Sequence, residues 1–243
     1  MKISSTKIKE FLLETLFPKF CVNCKTEGFY LCPDCFSLIE ILDRQYCAFC
    51  QKAVFDGKTC QNCFKNKHLK GLFCATSYDN FIIRKLINYF KYEPFVKDIA
   101  KTLSYLIITH ISLAAKGDFS LNFADFINSV LIPVPSYKKK QKYRGFNPAE
   151  EITKHLAEYL KIPILNDALI KTKQTLAQTE LKKEQRIENI KGVFGVKNPE
   201  KIKNKKIILI DDVLTTGSTL EECAKILKTA GAKEVWGMVA ARG

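Results

Sequence analysis

Residues 207–219 read Ile-Ile-Leu-Ile-Asp-Asp-Val-Leu-Thr-Thr-Gly-Ser-Thr, and this stretch decides the fold. Its first four residues, 207–210, form a short apolar run that is typical of a central parallel strand buried on both faces. Residues 220–227 continue with apolar side chains at helical spacing. A buried strand, a short loop and a helix in this order predict an α/β fold built on a Rossmann-like parallel sheet.

The polar residues between strand and helix predict a ribose phosphate site. Thr215–Thr219 would present backbone N–H groups and hydroxyls at a helix N-terminus, where the dipole favours a phosphate. Asp211 and Asp212, at the carboxyl end of the strand, can accept hydrogen bonds from ribose hydroxyls or hold a divalent cation through its waters. The alternative is an acid pair that only ends a strand, followed by an ordinary turn with a Ser or Thr N-cap. The loop matches neither a Walker A loop nor the G-x-G-x-x-G dinucleotide fingerprint.

A second strand is followed by a concentration of cations. The apolar run 130–134 predicts a short strand, and 136–147 would be a loop rich in lysine beyond its carboxyl end. Open parallel sheets bind ligands at that edge, so Lys140 and Arg144 are candidates to neutralise a pyrophosphate. Pro148 predicts the first turn of the next helix. The alternative is a basic loop that is only solvated.

Four C-x-x-C pairs occupy the amino-terminal part of the chain. A C-x-x-C turn places two sulfurs on one side of a tight knuckle, and two knuckles complete the tetrahedral thiolate shell of zinc. Pairing the knuckles in sequence order predicts two structural zinc ions, because all four positions of each metal would be filled. A disulfide framework is the alternative, which the absence of a secretory signal disfavours. The predicted ligands are Cys21, Cys24, Cys32 and Cys35 for one ion and Cys47, Cys50, Cys60 and Cys63 for the other.

The 243-residue composition fits one α/β domain with a small accessory module. The formal net charge of +14 favours an anionic partner, although a basic balance also serves solubility alone. No apolar run approaches the roughly 20 residues that a transmembrane helix needs, so a cytoplasmic protein without a transmembrane segment is expected.

Apolar periodicity predicts the other elements. A polar segment at 173–191 would be either a mobile hood over the ligand or a helical connection. The predicted helices are 80–92, 95–115 and 149–161, and the predicted strands are 168–171, 193–196 and 234–241.

Taken together, these motifs resemble the ComF/GntX family. The resemblance rests on the C-x-x-C pairs, on Pro133-Val134-Pro135 followed by Arg-Gly-Phe-Asn at 144–147, on the Thr-Leu-Ala-Gln segment at 175–178, and on residues 207–219, which match the phosphoribosyl pyrophosphate (PRPP) signature of type I phosphoribosyltransferases. The family pattern implies a double zinc ribbon, predicted here at 1–75, and a type I phosphoribosyltransferase fold at 76–243.

The resemblance also implies which residues bind PRPP and its magnesium. The pyrophosphate would contact the region from Pro135 to Arg144, and 173–191 would be the flexible loop. The family often opens that loop with Arg-Thr, whereas Lys171-Thr172 stands here, and lysine lacks the planar two-pronged donor of arginine. The implied PRPP ligands are Pro135, Ser136, Lys140, Arg144, Lys173, Asp211, Asp212, Val213, Leu214, Thr215, Thr216, Gly217, Ser218 and Thr219.

For function, the resemblance implies a PRPP-binding protein of natural competence that takes up or handles single-stranded DNA. The alternative is an active phosphoribosyltransferase in nucleotide or cofactor metabolism, with Mg-PRPP as donor. The expected partners are PRPP, single-stranded DNA and proteins of the DNA-uptake machinery, which would hold the protein peripherally at the inner membrane. Four aromatic residues among the zinc knuckles are candidates to stack bases, and packing around the ribbons is their alternative role. They are Tyr30, Phe49, Phe55 and Phe64.

Overall fold

The computed structural model describes residues 18–54, 56–116, 126, 128–173 and 189–243. In these ranges the strands are β1 Gln45–Tyr46, β2 Ala53–Val54, β3 Gly71–Ser77, β4 Ser129–Pro133, β5 Leu169–Lys171, β6 Phe194–Val196, β7 Lys206–Leu214 and β8 Glu234–Arg242. The helices are α1 Pro33–Ser37, α2 Gln61–Phe64, α3 Phe81–Lys91, α4 Ile99–Lys116, α5 Lys138–Arg144, α6 Pro148–Leu160 and α7 Ser218–Thr229. None of the described helices is both long and apolar enough to cross a membrane.

A four-stranded parallel sheet forms the centre of the fold, in the order β3-β8-β7-β4. The predicted buried strand lies inside β7, and the side chains of Ile207–Ile210 are 0% exposed. The predicted parallel α/β sheet is therefore confirmed. β7 continues through Leu214, however, so the acid pair lies within the strand and not after it. Pairing of Asp211 with Val239 and of Leu214 with Arg242 extends the strand, because β8 is equally long.

Alternation along the strands creates a core on each face of the sheet. Ile208 and Ile210 pack with α3, α4 and α6, whereas Ile207 and Leu209 pack with α7 and β6 on the opposite face. All three predicted packing helices are present. α4 starts four residues later than predicted, because Phe95 has a φ of 54°, which is left-handed and incompatible with a helix.

Topology creates a crevice at the carboxyl ends of β4 and β7. From β4 the chain passes through α6 to Ile164, whose neighbours hydrogen-bond to the outer side of Leu131. From β7 the chain passes through α7 to β8, which lies on the opposite side of β7 from β4. Where successive connections leave in opposite directions, an open α/β sheet has its binding crevice.

Two elements differ from the sequence-based expectation. The lysine-rich stretch predicted as a loop contains helix α5, which ends at Gly145 with a φ of 84° in a left-handed cap. Sequence also did not reveal β3, whose apolar run follows directly on the zinc segment. β3 pairs in parallel with β8, and the predicted domain boundary at 75/76 falls inside this strand.

The short predicted strands at 168–171 and 193–196 are present as the antiparallel pair β5 and β6. They flank the segment predicted to be a hood, most of which lies outside the described residues.

Candidate functional site

Between β7 and α7 lies a short loop of small residues, Thr215–Gly217, which we call the phosphate loop because it leads into a helix N-terminus of the kind that binds phosphate. Gly217 caps α7 with a φ of 77°, and the hydroxyl oxygens of Thr216 and Ser218 are 2.6 Å apart. The amide of Glu221 donates to the Gly217 carbonyl and starts the helical ladder. The N–H groups of the first turn precede that ladder, so this helix end favours an anion.

The acid pair lies beside this loop, with Asp212 buried and Asp211 half-buried. Asp212 is 3% exposed, and its Oδ1 atom accepts a 2.7 Å hydrogen bond from the Val213 amide. Asp211 Oδ1 accepts from the Asp212 amide at 2.9 Å. Burial, together with the charge of Asp212, raises the pKa of Asp211 to about 8, although the nearby Lys91 ammonium opposes this shift.

Cations from α5 and β5, together with polar residues of the segment before α5, form the facing wall. Ser136 donates its hydroxyl to Asn147 Oδ1 at 2.9 Å, and the Asn147 amide donates to the Val134 carbonyl at 3.1 Å. Asn147 thereby fixes the segment after β4. Burial, and then the charge of Lys140, lower the pKa of Lys171, which indicates that these two ammonium groups face one cavity.

These groups line one cavity of about 510 Å³. Thr216, Ser218 and Lys173 are not among the residues that line it; Lys171, two residues before Lys173, lines it instead. Lys173 is exposed beyond the end of β5. Of the residues predicted from sequence, the cavity wall includes Pro135, Ser136, Lys140, Arg144, Asp211, Asp212, Val213, Leu214, Thr215, Gly217 and Thr219.

Helix α3 contributes a wall that the sequence did not suggest. Lys91, in its last turn, has Nζ 2.8 Å from Asp212 Oδ1, and Asn88 lines the same cavity. The Arg144 guanidinium donates to the Lys91 carbonyl at 3.0 Å, which joins this wall to α5. In the sequence, Lys91 resembles any other lysine of an amphipathic helix. The only sequence signal for its role was its spacing of three from Asn88, which places both residues on one face of α3. Tyr78 and Tyr92 also line the cavity.

Both four-cysteine groups form as expected from sequence order. Within each group the sulfur atoms lie within 4.8 Å of one another. The Cys24 and Cys32 sulfurs are 3.4 Å apart, and those of Cys50 and Cys60 are 3.6 Å apart. Zn–S bonds of about 2.3 Å in a tetrahedron require sulfur separations of about 3.8 Å, so both donor sets fit a structural zinc ion.

The second zinc ribbon contacts the phosphate loop directly. A Cβ atom on Gly217 would lie 3.2 Å from the Ala48 carbonyl oxygen and 3.3 Å from the Phe49 ring. Glu221, in the first turn of α7, accepts hydrogen bonds from the amides of His68 and Leu69, at 2.9 and 3.1 Å. Ribbon and phosphate loop are thus in contact at Gly217 and again at Glu221.

The aromatic residues predicted to stack bases lie in different surroundings. Phe49 packs on the phosphate loop and Tyr30 packs against the core, whereas Phe64 is 47% exposed with the Lys70 ammonium 4.8 Å above its ring. Packing, the alternative role, thus holds for Phe49 and Tyr30. Phe55 lies outside the described residues.

A larger groove of about 1110 Å³ lies between the first ribbon, α4 and α6. Three of its aromatic side chains, Phe29, Tyr105 and Tyr159, are 48–60% exposed. We call this surface the aromatic groove. Lysines along it are Lys19, Lys101 and Lys161, and its acids are Asp98 and Glu158.

Two family models match the chain. A phosphoribosyl transferase domain covers residues 142–242, and a double zinc ribbon domain covers residues 12–76. The first range contains the phosphate loop and acid pair, and the second contains all eight zinc-ligand cysteines.

Curated relatives carry names from DNA handling. The chain is 30% identical to Competence protein F of Haemophilus influenzae over 87% of its own length and 97% of that protein. It is 28% identical to Competence protein ComFC of Streptococcus pneumoniae over 84% of each chain. It is also 31% identical to the DNA utilization protein YhgH of Escherichia coli O157:H7 over 57% of this chain and 59% of that protein.

Proposed function

Because the chain belongs to the ComF/GntX family, we propose that it is a PRPP-binding, phosphoribosyltransferase-like protein that handles single-stranded DNA in natural competence. The observation that carries the PRPP part is the convergence of three groups on one cavity. These are the phosphate loop, the acid pair and the cationic wall of α5. The names of the relatives support the competence and DNA parts.

Each part of PRPP has a matching group. The 5-phosphate would bind at the N-terminus of α7, the ribose hydroxyls would donate to Asp211 and Asp212, and the pyrophosphate would face Lys140 and Arg144. Magnesium would accompany PRPP and neutralise its pyrophosphate, and carboxylate oxygen is the kind of donor that magnesium prefers. The side chains position the ligand and balance its charge.

An isothermal titration with Mg-PRPP tests the site. The double variant Asp211→Asn/Asp212→Asn loses the carboxyl oxygens that would accept from the ribose hydroxyls, so its affinity should fall about tenfold or more, since one charged hydrogen bond contributes about 1.5–3 kcal/mol. Asp167→Asn is the matched control, because Asp167 is an exposed acid that pairs with Lys201 away from the cavity. Equal affinity of the double variant and the wild type would refute the site.

For single-stranded DNA we favour the aromatic groove as the binding surface. Exposed rings can stack bases of any sequence, and lysines beside them can contact the backbone phosphates. The net charge of +14 adds a long-range attraction to polyanions. The acids of the aromatic groove lower its local positive charge. Base stacking should therefore contribute more to the affinity of this groove than electrostatic attraction does.

Fluorescence anisotropy with a labelled oligonucleotide tests this surface. Tyr105→Ala/Tyr159→Ala should weaken binding about tenfold or more, because each stacked base contributes about 1–3 kcal/mol. Phe81→Ala is the control, since Phe81 is 49% exposed and has a lysine over its ring but lies outside the groove. Affinity that stays flat as salt rises would contradict phosphate contact of any kind.

We propose a cytoplasmic location, with DNA-uptake proteins holding the chain peripherally at the inner membrane. Fractionation of cells that contain and cells that lack the uptake machinery tests this. Recovery in the membrane fraction should require the machinery.

The alternative function is an active phosphoribosyltransferase. Tyr78, Asn88 and Tyr92 line the cavity beyond the predicted PRPP groups and give an acceptor a polar and aromatic wall. Pyrophosphate release from Mg-PRPP with a panel of nucleobases and amines distinguishes the two functions. Release with any acceptor would establish the enzyme.

A further inference from the structure

The ion pair between Lys91 and Asp212 is largely buried. The Lys91 side chain is 27% exposed, that of Asp212 is 4% exposed, and 2.8 Å separates Nζ from Oδ1. Removing two charges from water is costly, and a buried pair of this kind often contributes little to stability. Stability is therefore a weak explanation for this pair. Its position on the wall of a ligand cavity favours a role in ligand binding.

Lys91 is held in place from both sides of the cavity. Its carbonyl accepts the hydrogen bond of Arg144 from α5, and its position in the last turn of α3 suits a cation, since the helix dipole is negative there. The Nζ atom of Lys91 therefore lies beside the acid pair on the wall of the cavity.

In this position the Lys91 ammonium can take the place of a divalent cation bound at the acid pair. A metal ion there would neutralise the carboxylates and offer its charge to ribose and phosphate oxygens. Lys91 already neutralises Asp212, and two of its three N–H donors remain for oxygen atoms of a ligand once one is directed to Asp212.

We propose that Lys91 determines the ligand specificity of this site as the built-in cation of the acid pair, so that sugar monophosphates bind without magnesium. The inference rests on the proposed PRPP site and adds to it the class of ligand that needs no metal. Ribose 5-phosphate represents that class, because it carries the ribose and the 5-phosphate of PRPP without the pyrophosphate. Magnesium would then be needed only for the pyrophosphate of PRPP.

Titration of ribose 5-phosphate in magnesium-free buffer without a chelator and in magnesium, with zinc retained in both, tests the proposal on the full chain. Wild-type affinity should be the same in both buffers within about twofold. Lys91→Met keeps most of the apolar side chain but removes the ammonium group, so it should bind about tenfold or more weakly without magnesium and regain affinity in magnesium, which can then occupy the vacated ammonium position. Lys91→Arg should keep metal-independent binding.

Lys85→Met is the matched control, because Lys85 lies on the same helix with its ammonium over the Phe81 ring and does not line the cavity. It should behave as the wild type does in both buffers. A purely structural role of Lys91 would lower affinity equally with and without magnesium, and that outcome overturns the proposal. So does a wild type that needs magnesium for ribose 5-phosphate.

A further variant covers the case in which Lys91→Met fails to fold. Lys91→Met/Asp212→Asn removes both charges, so it should melt cooperatively and bind ribose 5-phosphate weakly with no recovery in magnesium. Recovery would mean that the metal acts elsewhere and would overturn the proposal. Binding of Mg-PRPP to the wild type is measured in parallel, since its absence refutes the PRPP site itself, whereas its presence with failed Lys91 results refutes only the role of Lys91.

Discussion

Gly217 carries two constraints at the entry to α7. Its φ of 77° is left-handed, and a Cβ atom there would crowd both the Ala48 carbonyl and the Phe49 ring. Gly192 has a φ of 64° and nothing within 4 Å of such an atom, so it provides a matched position with strain alone. The crowding distinguishes the two glycines, because backbone strain is common to both.

We expect Gly217→Ala to lower the free energy of unfolding by about 2–3 kcal/mol and Gly192→Ala by about 1 kcal/mol. Only Gly217→Ala should also weaken PRPP binding, because its strain lies in the phosphate loop. Urea denaturation and calorimetric titration measure the two effects. Identical losses of stability would show that the contact with the second ribbon is loose.

His110 makes stability depend on pH. It is 1% exposed, its Nδ1–H donates to the Leu42 carbonyl at 2.7 Å, and its Nε2 accepts from the Gln45 amide at 2.9 Å. Burial lowers the pKa of His110 below the ordinary 6.5, although the Leu42 carbonyl opposes this. The unfolded chain therefore takes up a proton first as the pH falls, and the folded state loses stability below about pH 6.5.

We expect the free energy of unfolding to decrease from pH 6.5 downward in the wild type and to decrease less steeply in His110→Gln. Chemical denaturation of both proteins across this range measures the two slopes. A slope that is unchanged in His110→Gln would assign the acid sensitivity to other groups.

Helix α5 concentrates charge on a short element, but its lysines differ in what they face. Lys140 lines the cavity, whereas the exposed Lys139, one residue earlier, does not. Lys140→Gln should weaken Mg-PRPP binding about fivefold to tenfold, since it removes one charged contact to pyrophosphate. The same change should leave ribose 5-phosphate binding within about twofold.

Lys139→Gln is the control for this element and should change neither affinity. Calorimetric titration of both ligands against both variants gives the four values needed. Equal weakening by the two substitutions would mean that α5 acts only through its general charge.

At the level of elements, the sequence predicted most of the sheet and part of the site. The apolar run Ile207–Ile210 predicted β7, because a strand that is covered on both faces must be apolar throughout. The lysines of α5 concealed a helix, since a helix that buries none of its residues has no apolar stripe. Lys91 was not predictable, because its role depends on a contact across 121 positions of sequence to Asp212, which only the folded chain brings together.

At the scale of the whole molecule, the second ribbon and the phosphate loop form one mechanical unit. Glu221 binds two ribbon amides through its carboxylate. Glu222, its neighbour, instead accepts a 2.8 Å hydrogen bond from the Gly192 amide. Both glutamates thus accept backbone hydrogen bonds, Glu221 from the ribbon segment and Glu222 from Gly192.

We expect Glu221→Ala to lower the free energy of unfolding by about 2 kcal/mol and to weaken PRPP binding, because the charged hydrogen bonds to the ribbon are lost. Glu222→Ala should cost a comparable amount of stability without weakening PRPP binding. Wild-type protein from which zinc and then the chelator have been removed should bind Mg-PRPP more weakly, as Glu221→Ala does. Full PRPP affinity in the zinc-free protein would contradict the coupling of ribbon and loop.

The pairing of β3 with β8 also sets an order for assembly on the ribosome. β3 precedes every other strand of the central sheet in the chain, yet the strand it pairs with is β8, the last of them. Both zinc ribbons leave the ribosome early and can bind metal while β3 still has no partner. The sheet edge stays open until residues 234–242 emerge, so a newly made chain holds its metals long before it can hold a sugar phosphate.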